Sequence, residues 1–152
     1  MSYVTDLLTN PIFLAPALSW VAAQLVKLII QLAKRAPLNR LLTGGGMPSS
    51  HTATVFGLLI ETAICYGTAG FEFPMALFFA IMIIYDALNV RYVTGEQSKV
   101  INKVVSERSN DPDPFWHSLP KYPELLGHTL PEVIAGAAVG IVVAILVGVI
   151  AA

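Results

Sequence analysis

His128 and Glu132 stand four positions apart in Leu126-Gly127-His128-Thr129-Leu130-Pro131-Glu132-Val133, at the head of an apolar run. On a helix, residues four apart share a face. The carboxylate could accept a proton from one ring nitrogen and leave the other free to attack, as nucleophilic histidine chemistry requires. A helix cap or a plain ion pair would use the same spacing. A second histidine, His51, closes the stretch Gly44-Gly45-Gly46-Met47-Pro48-Ser49-Ser50-His51, just ahead of another apolar run. A helix start there would offer backbone N–H groups to an anion. His51 could protonate a departing oxygen, or it could simply cap or pack at an interface. Together with Lys34, Arg35, Arg91 and Asp86, these groups suit a substrate that carries an anion. They have no spacing that singles out a metal, so no metal or other cofactor is expected.

The rest of the chain must bring these groups together, and its composition says how. Of 152 residues, 55% are hydrophobic and only 12% charged; the mean hydropathy is +0.69. Apolar runs near residues 12–33, 52–69, 73–90 and 130–150 each approach the roughly 20 residues that cross a bilayer. The first is no signal peptide, because its positive charges follow the apolar stretch and no small-residue cleavage site is present. The sequence predicts one all-α domain over residues 1–152, a polytopic membrane bundle of about four transmembrane helices. The rival is a soluble helical bundle. The single cysteine, Cys65, rules out a disulfide within the chain.

Charge sets the orientation. All nine Lys and Arg residues fall at or between the ends of spans that face one side: Lys27, Lys34, Arg35 and Arg40, then Arg91, Lys99, Lys103, Arg108 and Lys121. The opposite segments carry Asp6 and Glu72 without a cation. The positive-inside rule predicts a multi-pass protein of the cell or inner membrane with both basic segments, and the site, on the cytoplasmic side. Threaded this way, the first span leaves beside Lys34 and Arg35 and the second enters beside His51. The third leaves beside Asp86 and Arg91, and the fourth enters beside His128 and Glu132. All these groups meet at one rim.

Residues 1–11 read as a lead-in, and either Asn10-Pro11 or Pro16 could start the first helix. Leu38 to Ser50 reads as a loop, with Pro48 and a serine cap launching the second helix. Glu61, inside the second span, is costly there and points to a helix partner or water. Residues 94–108 read as a short amphipathic interfacial helix with Val100, Ile101, Val104 and Val105 on its apolar side. A polar loop from Asn110 to Pro123 follows, with Phe115 and Trp116 as interfacial anchors. Gly136, Gly140 and Gly148 in the last span allow close helix contacts, within the chain or in a homodimer.

The segment from Gly45 to His51 resembles the signature of the divergent PAP2 membrane proteins, a branch related to the type 2 phosphatidic acid phosphatases and vanadium haloperoxidases. Asp86-Ala87-Leu88-Asn89-Val90-Arg91 and Gly95-Glu96-Gln97 resemble its next block, and Leu126 to Val133 with Gly136 its last. The resemblance covers most of the chain and implies a PAP2-like core. It implies phosphate binding by Ser49, Ser50 and the loop, His51 as general acid, and His128 with Glu132 as the nucleophilic pair. Asp86, Glu96 and Gln97 would support the site. The wider superfamily opens with a lysine followed seven positions later by arginine and proline. Lys27 and Lys34 have that spacing with Arg35 next, but Arg35-Ala36-Pro37 breaks the pattern. The arginine that normally precedes the last histidine is absent, with Tyr122 at its spacing; Arg91 or Lys121 would replace it.

These readings converge on metal-independent hydrolysis of a lipid phosphate monoester, of the phosphatidic acid or phosphatidylglycerophosphate class, through a phosphohistidine. Lys34, Arg35 and Arg91 would hold phosphoryl oxygens, and Asp86 would orient Arg91 or His51. The partners are membrane lipids and the anionic substrate; nucleic acid is not among them, because no soluble basic module is present. Two rival functions remain: a catalytically silent lipid-phosphate binder or scaffold, and a small transporter or channel.

Overall fold

The computed structural model describes residues 2–35, 46–124 and 126–151. Residues 38–45 of the loop expected from Leu38 to Ser50, with Arg40, lie outside the described residues. Among them all regular structure is helical: α1 (Ser2–Thr9), α2 (Pro11–Ala33), α3 (Ser50–Tyr66), α4 (Glu72–Tyr85), a π segment (Asp86–Val90), α5 (Arg91–Glu107), α6 (Pro114–Ser118) and α7 (Leu130–Ala151). The lead-in is thus largely helical. Asn10 caps α2 by accepting the Ile12 N–H at 2.9 Å, and Pro11 takes the first turn, where its missing N–H costs nothing. Pro16 sits inside the helix.

Among the described residues three helices are long and apolar enough to cross a membrane: Pro11–Ala33, the continuous rod Glu72–Glu107, and Leu130–Ala151. The protein is a multi-pass helical membrane bundle. The fourth expected span, α3, has 17 residues, about 25 Å of rise. It ends where Gly67 turns the chain at φ 72°. The amphipathic stretch expected over 94–108 is not set apart by a loop; α5 follows α4 through the π segment without a break.

α3 occupies the centre and packs on α2, α4 and α7, while α2 also packs on α7. Contact with α4 is made by Val55, Leu59, Ala76 and Ala80, and contact between α2 and α7 by Ala15, Ala144 and Val147. Large side chains such as Phe78, Met82, Leu146 and Ile150 point outward, as expected of a surface that meets acyl chains. Inside, the residues are small because the backbones nearly touch. A Cβ on Gly136 would stand 2.4 Å from the Ser49 carbonyl oxygen, and one on Gly140 2.4 Å from that of Ala53. The small-residue stripe of α7 therefore serves the bundle itself, against α3. Glu61 is fully buried on α3; its Oε1 accepts from Cys65 Sγ at 3.6 Å, and Gly148 of α7 leaves it room.

Candidate functional site

α7 begins with a side chain that reaches back to its own start. Glu132 Oε2 accepts the Thr129 N–H at 3.0 Å, the return bond of a capping box. The same oxygen meets His128 Nδ1 at 3.2 Å. A carboxylate only accepts, so the proton of the neutral ring sits on Nδ1 and the lone pair on Nε2. His128 is 4% exposed, and Nε2 has no hydrogen-bond partner among the described residues. Leaving such a buried group unpaired costs about 1–3 kcal/mol. Burial pushes the His128 pKa below 6.5, helped by the Lys27 and His51 charges; the Glu132 bond and charge oppose the shift. Burial thus favours the neutral ring, whose Nε2 is unpaired among the described residues.

His51 lies across from it on the first turn of α3, with ring centres 6.4 Å apart and planes at 59°. Both histidines line a small cavity of ≈ 20 Å³ with Asp86, Ala87 and Arg91, room for a water-sized group. Arg91 Nε bonds Asp86 Oδ2, the pair half-exposed at the rim. Lys27 comes in from α2. It continues the buried stripe Ala15, Ser19, Ala23, each four residues apart, and is itself only 3% exposed. Gly46 lies against its Cε, and its charge acts on Glu132, His51 and His128.

The π segment explains how His128 is seated. In a π turn the Arg91 N–H reaches back five residues to the Asp86 carbonyl. The next carbonyl, of Ala87, accepts the His128 N–H at 3.0 Å. Upstream of His128, residues 122–124 and 126–128 form a strap that runs along α5. Gly127 (φ 76°) lies so close that a Cβ would stand 2.4 Å from Tyr92 N. Gly95 similarly faces the Glu124 and Leu126 backbone. Asn102 fastens the far end: Nδ2 donates to Tyr122 O at 2.9 Å and Glu124 Oε1 at 2.8 Å, and Oδ1 accepts the Tyr122 N–H at 3.0 Å. The Ser49 N–H donates to Glu132 O at 3.0 Å, tying the His51 loop to the same helix start.

The structure thus brings Lys27, His51, Asp86, Arg91, His128 and Glu132 to one end of the bundle. Lys34 and Arg35 end α2 as exposed residues and form no ion pair among the described residues. Ser49 is fully buried, its Oγ accepting from Thr52 N–H at 3.3 Å and Thr52 Oγ1–H at 2.9 Å as a helix cap. Ser50 is nearly buried beside it. Glu96 lines a ≈ 240 Å³ cleft that reaches His128, Glu132 and Gly46, and it pairs with Lys99 at 2.5 Å. Gln97 is exposed on α5 and lines neither cavity. Among the described residues no group of three or more His, Cys, Asp or Glu is placed to hold a metal. Sequence reading missed Tyr92, Asn102 and Glu124, whose only signal is the matched positions of Gly95 and Gly127 on facing segments.

Residues 8–143 match the pattern of the Divergent PAP2 family. The chain belongs to that family, a PAP2-related family of membrane proteins. It is 34% identical over 146 residues to an uncharacterized membrane protein, YuiD, of Bacillus subtilis (strain 168), covering 90% of this chain and 92% of the relative. No solved structure matches it.

Proposed function

We propose that the protein is a membrane phosphatase that hydrolyses a lipid phosphate monoester through a phosphohistidine. The bare, buried Nε2 of His128, on a ring whose other nitrogen is fixed by Glu132, is the observation that carries this reading. Nε2 attacks phosphorus in line, the P–O bond to the leaving group breaks, and His51 gives that oxygen a proton. Water, deprotonated by His51, then attacks phosphorus, the P–N bond breaks, and phosphate leaves. Lys27, Arg91 and the loop N–H groups stabilise charge on the phosphoryl oxygens, with Ser49 and Ser50 shaping the loop. Lys34 and Arg35 act at the membrane surface, where they attract the anion. Asp86 holds Arg91, and Glu96 offsets Lys99 in the adjoining cleft; Gln97 has no role in this scheme.

Purified protein is expected to release phosphate from phosphatidic acid or phosphatidylglycerophosphate without an added metal, and vanadate to inhibit it. Saturable binding of these lipids with no release from any of them would instead support a silent phosphate binder. That second reading draws on the burial of Ser49 and the exposure of Lys34 and Arg35.

We further read four spans, with α3 as the short one and the site in the cytoplasmic leaflet. In a Cys65→Ser background, Asn110→Cys should resist an impermeant thiol reagent in intact cells, and Thr68→Cys should react. The opposite labelling would move the site to the other leaflet. A homodimer would need a surface other than the α7 glycine stripe; a mass in mild detergent that stays monomeric would exclude it.

A further inference from the structure

Beyond the site, α5 and the strap enclose a second cleft of ≈ 600 Å³, lined by Lys99, Lys103, Lys121, Asn102, Ser106 and Glu124 among others. Two features make it more than a patch of surface lysines. Its wall is built: Asn102 fastens the strap through both backbone groups and side chain, and the same amide fixes Glu124. It also adjoins the cleft at His128, since Lys99 and Glu124 line both. Lys99 is paired with Glu96. Lys103 meets Glu107 only at 3.9 Å with both side chains largely exposed, a weak pair. Lys121 has no ion pair among the described residues. Two cations are therefore available to a ligand, and the single carboxylate in the wall is already engaged.

We propose that this cleft is a second anion subsite, so that the preferred substrate carries two anionic groups: the monoester at His128 and a distal phosphate at Lys103 and Lys121. This rests on the phosphatase reading and narrows it, since a lone monoester on diacylglycerol would leave the subsite unused. Along α5, Arg91 and Lys99 are about 12 Å apart and Arg91 and Lys103 about 18 Å. Allowing for the reach of the lysines, the two anions lie on the order of 10 Å apart. The two clefts act as linked sites, in which the second contact is made at high effective concentration.

The test uses full-length His128→Ala protein in nanodiscs, which does not consume its ligand if the phosphatase reading holds. Calorimetry compares hexane-1,6-diyl bisphosphate with hexyl phosphate. The bisphosphate is expected to bind at least about tenfold tighter at low salt, with the advantage shrinking as salt screens it. Lys103→Ala with Lys121→Ala should bring the ratio down to about two, the statistical factor for a symmetric ligand. Lys103→Arg with Lys121→Arg should keep it, which separates lost charge from misfolding. A ratio near two in the parent protein, or one untouched by the alanine pair, overturns the subsite. Doping the nanodisc with phosphatidylinositol 4-phosphate or phosphatidic acid then identifies the source. Stronger displacement of the bisphosphate by the two-anion lipid assigns the subsite to a membrane headgroup, and equal displacement assigns it to a soluble bisphosphate. If no lipid phosphate is hydrolysed while the ratio stands, hydrolysis fails and the subsite remains. Hydrolysis with a ratio near two removes the subsite alone.

Discussion

Replacing His128 with alanine is expected to abolish phosphate release in a protein that still inserts and folds. The side chain supplies the attacking nitrogen, and no other imidazole takes its place: His51 stands opposite it, and His117 is bonded to the Asp111 carbonyl in the 110–123 loop. The pH profile of the parent protein carries the same information. Burial lowers the His128 pKa from 6.5, so the neutral nucleophile persists below that value and its acid limb falls only under pH 6.5. Glu132 opposes this shift by its hydrogen bond and charge. Glu132→Gln keeps an acceptor for the Thr129 N–H but removes the charge. It should slow release by about 10–1000-fold and move the acid limb to still lower pH. A folded His128→Ala protein with full activity would remove the nucleophile. An unchanged acid limb in Glu132→Gln would reduce Glu132 to a helix cap.

Gly127→Ala should be nearly as damaging to turnover, without touching a reacting group. Two glycines with similar positive φ allow the causes to be separated. Gly67 (φ 72°) has nothing within 4 Å of where a Cβ would be, whereas at Gly127 (φ 76°) the Cβ would press on Tyr92 N at 2.4 Å and Tyr92 Cα at 2.7 Å. Each alanine is strained by its positive φ, by about 1–3 kcal/mol, and Gly67 with ψ −166° lies in a region that only glycine adopts readily. Only at Gly127 must backbone also move, and the segment that lifts carries His128 off the Ala87 carbonyl. Gly67→Ala is expected to lower Tm by backbone strain alone and keep activity in the folded protein. Gly127→Ala is expected to lose about 100-fold or more in phosphate release, by misplacing the nucleophile. Equal activities in the two variants would show that the seat of His128 on the π segment is dispensable.

The parts of the site that were legible in the sequence are the local ones. The pairing of His128 with Glu132 follows from four-residue spacing, and Ser49 as a cap from its place before an apolar run. Lys27 was harder to weigh against Lys34 and Arg35, because charge alone favours the helix end. Its inward position comes from the stripe Ala15, Ser19, Ala23, which needs a neighbouring helix to define the buried face. The fold was legible as apolar runs, yet helix length was not: Glu72–Glu107 runs on where a break was expected. Asn102 and the strap could not be foreseen, since twenty residues separate Asn102 from Tyr122 and only tertiary contact joins them.

The π segment has a further consequence. One additional residue in a turn rotates everything after it by about 100° relative to an uninterrupted α-helix. α4 and α5 are therefore two rods on one axis, each with its own phase. The first presents Ala76 and Ala80 to α3, and the second presents Gly95 and Asn102 to the strap. Lengthening α4 by a full turn would change how far along the axis α5 sits while keeping its heading. Adding or deleting one residue within Asp86–Val90 would swing α5 to a new heading at almost the same depth. Depth and azimuth are thus set by different stretches of one helix, and a descendant of this chain could alter the reach of its outer cleft without dismantling the bundle beneath it.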